Sequence, residues 1–155
     1  MKKIYALAML VAVMFGCKDD DPKLTVEQYL TAPTNGWIFE SIIITIGGAQ
    51  INAITTPPFN EVYDEPCELD DATIFTADGK FTVANNTKCD PSEDAIYDSG
   101  TWTLNPDKTS LTITSTTDGV LLVVTSLSVN GDNIKGNVTN YFDTGLDAAI
   151  TLKKK

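Results

Sequence analysis

From Trp37 onward the chain is cut by tight-turn signals at short intervals, and that spacing rules out a helical or α/β architecture. Asp78-Gly79, Asn105-Pro106-Asp107, Asp118-Gly119, Asn130-Gly131 and Asp143-Thr144-Gly145 each supply residues that accept or pre-set turn backbone. The runs between them are short and rich in β-branched and aromatic residues, which predicts strands over 73–76, 80–83, 100–104, 110–115, 120–129, 134–141 and 148–153. A first strand is expected over 37–46, with Gly47-Gly48 as a turn and 49–54 pairing back. Short strands, tight turns and no intervening helix predict an antiparallel meander, either closing as a barrel or folding as a sandwich. Residues 55–71, with Pro57, Pro58 and Pro66, and residues 85–98 are expected to be loops.

Alternation assigns the faces. Phe81 and Val83, Trp102 and Leu104, and Leu111 and Ile113 share one face, whereas Thr82, Thr101, Thr103, Thr112 and Thr114 take the other. Residues 120–124 are apolar at every position, so that strand is expected to be covered on both faces or to sit in an oligomer contact. Ahead of the strands, Thr25-Val-Glu-Gln28 fits a capping box and predicts a short helix to about Leu30, ended near Pro33.

The first residues read differently. Lys2 and Lys3 precede an uncharged apolar run from Ile4 to Phe15, too short to span a bilayer but suited to a signal peptide. Met14-Phe15-Gly16-Cys17 resembles a lipobox, which implies cleavage after residue 16 and lipidation of Cys17. Residues 17–24 then form an acylated, acidic tether, and 25–155 a single β domain. Lys18-Asp19-Asp20-Asp21 resembles the surface-export signal of Bacteroidetes lipoproteins, which implies an outer-membrane anchor with the domain outside the cell, the periplasmic face being the alternative.

Composition then narrows the chemistry. The chain has 11 lysines, no arginine, no histidine and 21 acidic residues. Loss of Lys2 and Lys3 with the leader leaves 9 of the 11 lysines against all 21 acids, a formal charge of −12. Such a surface repels nucleic-acid phosphates. Without histidine there is no Ser-His-Asp or Cys-His arrangement and no imidazole ligand; without arginine there is no bidentate clamp for phosphate or carboxylate.

Apart from Cys17, the cysteines are Cys67 and Cys89, an even pair in an exported setting. They are symmetric about residue 78, inside the turn of the hairpin predicted around Asp78-Gly79, so a disulfide between them is expected at the hairpin's open end. A redox or metal pair is disfavoured by the absence of a Cys-x-x-Cys motif and of a histidine.

Taken in order, the leader, the short helix, the Trp-led first strand, Cys67-Glu-Leu-Asp-Asp71, Phe75, Asp78-Gly79-Lys80-Phe81, Cys89-Asp-Pro91, Gly100-Thr-Trp102 and Leu111-Thr-Ile113 resemble the lipocalin-like domain of Bacteroidetes lipoproteins. The resemblance covers the leader and roughly 60–130, and it implies an up-and-down β-barrel. Gly36 directly precedes Trp37, a departure from the Gly-x-Trp of true lipocalins, and the arginine that packs on that tryptophan has no counterpart here.

Other constellations have simpler readings. Asp143-Thr144-Gly145 matches the aspartic-protease triplet, but that chemistry needs two carboxylates sharing a proton, and a turn uses the same residues. The acids Asp64, Glu65, Glu68, Asp70 and Asp71, and Asp90, Glu93, Asp94 and Asp98, follow no EF-hand spacing and are expected to be solvated loops rather than a Ca²⁺ site. Trp37, Phe81 and Trp102, with Phe75 and Tyr97, are expected in the core, with ligand binding at a barrel mouth as the functional alternative. The expectation is therefore a surface-anchored, non-catalytic lipoprotein without a cofactor or metal. It would bind a small apolar ligand, a glycan or a protein partner; an accessory subunit of an outer-membrane complex is the alternative, and an enzyme a remote one.

Overall fold

The computed structural model describes residues 24–60, 65–117, 119, 121–141 and 145–155. Cys17, Lys18, Asp19, Asp20 and Asp21, together with Asp64, Val120, Asp143 and Thr144, lie outside them. Among the described residues, no helix is long and apolar enough to cross a membrane.

Helix α1 (Val26–Thr31) starts on the expected capping box. Thr25 Oγ1 accepts from the Gln28 N–H at 3.2 Å, and Gln28 Oε1 accepts from the Thr25 N–H at 2.8 Å. These bonds satisfy two donors that a helix start otherwise leaves open. The strands are β1 (Trp37–Ile46), β2 (Ala49–Asn52), β3 (Ala72–Phe75), β4 (Lys80–Ala84), β5 (Ile96–Leu104), β6 (Leu111–Ser115), β7 (Leu121–Asn130), β8 (Asn133–Val138) and β9 (Ala148–Lys154).

From β3 to β9 each strand pairs antiparallel with the next, and β9 returns to β1 from Trp37↔Lys154 to Ile44↔Ala148. Trp37↔Thr73 joins β1 to β3 and completes a closed ring of eight strands, so the meander is a lipocalin-like up-and-down barrel rather than a sandwich. β2 is a hairpin arm on the last residues of β1. Where it leaves, Asn52 Oδ1 accepts from the Ile42 and Ile54 N–H groups, and the Ala53 N–H donates to the Ile42 carbonyl at 2.7 Å.

Cross-strand partners share a face, so the register traces the interior. One path runs Phe75, Phe81, Gly100, Ser115; another runs Leu104, Leu111, Val124, Val138, Ala148, Ile44. Two glycines stand on this inner face. A Cβ on Gly100 would lie 2.0 Å from the Thr114 carbonyl oxygen, and one on Gly136 would lie 2.3 Å from Val124 Cγ1. These are the close approaches that let a small sheet curve onto itself.

Three expectations change. β5 begins at Ile96, so 96–98 belong to a strand and not to the preceding loop. β8 ends at Val138, and Tyr141 lies beyond it. In the described part of the apolar run 120–124 the first of its two expected settings does not hold: Val124 is buried and Leu122 packs on the core, whereas Val123 between them is 36% exposed. Over 122–124, Leu122 and Val124 take the inward phase of the barrel wall and Val123 the outward one.

Candidate functional site

The barrel has one filled end and one open end. At the filled end, α1 lies under the strands. Leu30 is fully buried, and the Trp37 Nε1–H donates to the Leu30 carbonyl at 2.8 Å. Glu27 of α1 forms an ion pair with Lys108 of the β5–β6 turn, which holds the Glu27 carboxyl below the usual range. The Trp102 Nε1–H donates to the Thr76 carbonyl at 3.1 Å, and its ring meets Phe75 edge-on with centroids 5.7 Å apart. Both tryptophans have their polar atom satisfied and are core residues. Of the three residues weighed for ligand binding, Phe81 lines the cavity described next, while Trp37 and Trp102 form the packing beyond it.

Toward the other end the interior is not filled. A cavity of about 1000 Å³ opens there. Its wall is mainly apolar and comes from the inner faces of the strands, including Phe39, Val83, Ile113, Leu122, Leu127 and Ile150. Its mouth is formed by the turn before β3, the β4–β5 loop and the segment 139–141.

The mouth is tied together covalently and by hydrogen bonds. Cys67 and Cys89 form the expected disulfide, with Cα atoms 5.4 Å apart. The β3–β4 pairs, Ala72↔Ala84 to Phe75↔Phe81, are symmetric about residue 78, and the cysteines continue that symmetry. Asp70, in the 3-10 turn Glu68–Asp70, accepts from the Thr87 N–H at 3.1 Å and the Thr87 hydroxyl at 2.8 Å, and its carbonyl accepts from Asn86 Nδ2 at 2.6 Å. Desolvation opposes ionisation of Asp70, but the Thr87 bonds and the Lys155 charge outweigh it and hold the carboxyl below its ordinary value. On the opposite loop, Glu93 accepts from the Cys89 N–H at 3.0 Å, and Lys88 donates to the Glu93 carbonyl.

Inside this clasp stands Asp71, an acid without that compensation. Asp71 is pushed up to about 6, first by desolvation and then by the charges of Asp70, Glu68 and Glu93, against one favourable N–H from Asn86. Tyr97, half exposed at the start of β5, is pushed up to about 12 by desolvation and by Asp71, Asp98 and Glu68. Asp98 lines the cavity and accepts from the Ser115 hydroxyl at 2.6 Å; Ser115 is itself buried.

Asp98 does not lie on the solvated loop expected for it; it is in phase with Gly100 and Trp102 on the inner face. That phase was the available signal, since Asp98-x-Gly100-x-Trp102-x-Leu104 alternates without a break. Among the described residues, the grouping of side chains that approaches metal-ligand distance is Glu65 with Cys67 and Cys89, and the disulfide engages both sulfurs.

Comparison with family models, curated proteins and solved structures finds no match to this chain.

Proposed function

We propose that this chain is a surface-anchored, non-catalytic lipoprotein whose barrel binds a small, mainly apolar molecule. The observation that carries the reading is the cavity of about 1000 Å³, walled by inward-facing aliphatic and aromatic side chains and open at one end. Pockets of this size and lining are where drug-sized apolar ligands are buried. The alternative, an accessory subunit of an outer-membrane complex, rests on the outward Val123 of the apolar run. The resemblance to lipocalin-like lipoproteins points the same way as the cavity, and fold alone does not fix function.

The direct test is saturable binding of the fluorescent apolar probe N-phenyl-1-naphthylamine, displaced by 1-decanol. Ile113→Trp, which fills the cavity from its wall, should abolish binding while the protein remains folded by circular dichroism. Wild-type protein with no saturable binding would overturn the proposal. The anchor has a separate test: native protein should partition into detergent and carry acyl mass, and Cys17→Ala should leave a precursor that does neither. Replacing Lys18, Asp19, Asp20 and Asp21 with Ala should protect the domain from protease added to intact cells.

A further inference from the structure

Resting on the cavity reading above, we infer that the preferred ligand is a cationic amphiphile: an apolar body that fills the barrel, with an ammonium or amidinium group held at the mouth by Asp71 and Asp98. Asp98 is not a solvated loop acid. Its strand register turns it into the barrel, where its partners are the Ser115 hydroxyl and the Ser99 N–H, both neutral. Asp71 stands at the same mouth, between the 3-10 turn and the β4–β5 loop.

The charged groups acting most strongly on Asp71 are acids. Glu68 and Asp70 flank Asp71 in its own segment, Glu93 acts on it from the β4–β5 loop, and Tyr97 lines the same cavity from β5. The lysines near this end are engaged elsewhere, Lys88 with the Glu93 carbonyl and Lys155 with Asp70. Among the described residues, no lysine lines the cavity or lies within ion-pair distance of Asp71 or Asp98. An apolar chamber behind a one-sided anionic mouth focuses the field on that mouth. A fatty acid or other anionic amphiphile entering it would meet repulsion where a cation would supply the missing counter-charge.

The test uses three ligands of equal chain length, decylammonium, 1-decanol and decanoate, titrated calorimetrically at neutral pH and low salt. Decylammonium should bind up to roughly tenfold more tightly than 1-decanol, the upper range of what a solvent-accessible ion pair contributes, and decanoate should bind most weakly. High salt should narrow the spread. In Asp71→Asn/Asp98→Asn the preference should fall to within about twofold, while 1-decanol binding persists and reports that the barrel is intact. Near pH 6 decylammonium should also release a proton from Asp71, seen as a binding heat that depends on the buffer.

The failures are separable. If none of the three binds, the cavity reading falls and this inference with it. If 1-decanol binds but decylammonium binds no more tightly, or decanoate binds best, the cavity stands and the charge preference is overturned. A wild-type preference that ignores salt, or one that survives the double variant, also overturns it.

Discussion

The two ends of this barrel solve opposite problems with the same strands. At the filled end the connections are tight turns at Asp78-Gly79 and Asn130-Gly131, a helix lies beneath, and Leu30, Trp37 and Trp102 are buried with every ring nitrogen hydrogen-bonded. At the open end lie the long β4–β5 and β8–β9 connections, the interior holds space instead of side chains, and carboxylates gather at the rim. Stability is concentrated where the chain turns sharply; the region free to bind is held by a disulfide and an aspartate clasp rather than by a core.

Four measurements can break or sharpen that contrast. The largest effect belongs to the filled end: Trp37→Ala removes a fully packed ring and leaves the Leu30 carbonyl unpaired, and should cost about 3–5 kcal/mol in denaturant unfolding. A cost near that of a surface residue would remove the claim that this end carries the fold. Next, reducing Cys67–Cys89 should destabilise the domain by about 2–4 kcal/mol and lower the melting temperature by roughly ten degrees. Unchanged melting would mean that the mouth contributes nothing to global stability.

A matched pair of overpacking changes comes third. Leu30→Phe should cost about 1–3 kcal/mol because no space surrounds it, whereas Val83→Phe, facing the cavity, should cost less than about 1 kcal/mol. Equal costs would argue against a real void. The smallest effect is electrostatic. The Asp71 carboxyl titrates higher in the folded protein than in the unfolded chain, so between about pH 4 and about pH 6 the folded state binds the extra proton. Its contribution therefore favours folding at low pH and fades as pH rises through that window. Asp71→Asn should flatten this slope, as read from unfolding midpoints against pH, and an unaltered slope would place the effect on other acids.

Much of the filled end was legible because its signals are local. Thr25 and Gln28 are near neighbours in sequence, the Asp-Gly and Asn-Gly turns act within four residues, and alternation around Phe81, Trp102 and Leu111 fixes the inner face. The disulfide was legible through the hairpin, since symmetry about the turn translates sequence distance into register. The open end was less so. Asp98 follows a stretch of loop-forming residues, and local preference there competes with a strand phase that only pairing with β4 and β6 decides. The cavity itself could not be read, because inward-facing apolar residues look the same whether they fill a barrel or line one. Which occurs depends on strand number and stagger, and those are properties of the whole sheet.

The ladder between β1 and β9 has a consequence for how the molecule comes into being. Its partners are Trp37 with Lys154 and Ile44 with Ala148, residues near opposite ends of the domain, while β1 holds β3 through one register pair. Until β9 is in place, β1 and β8 each present a raw strand edge, and the intermediate is an open, curled sheet able to pair with another chain. Ring closure is thus the most non-local step of folding, and the slowest to be found by diffusion. A ribosome or export channel releasing the chain from its first residue onward must deliver nearly the whole domain before the chamber exists at all.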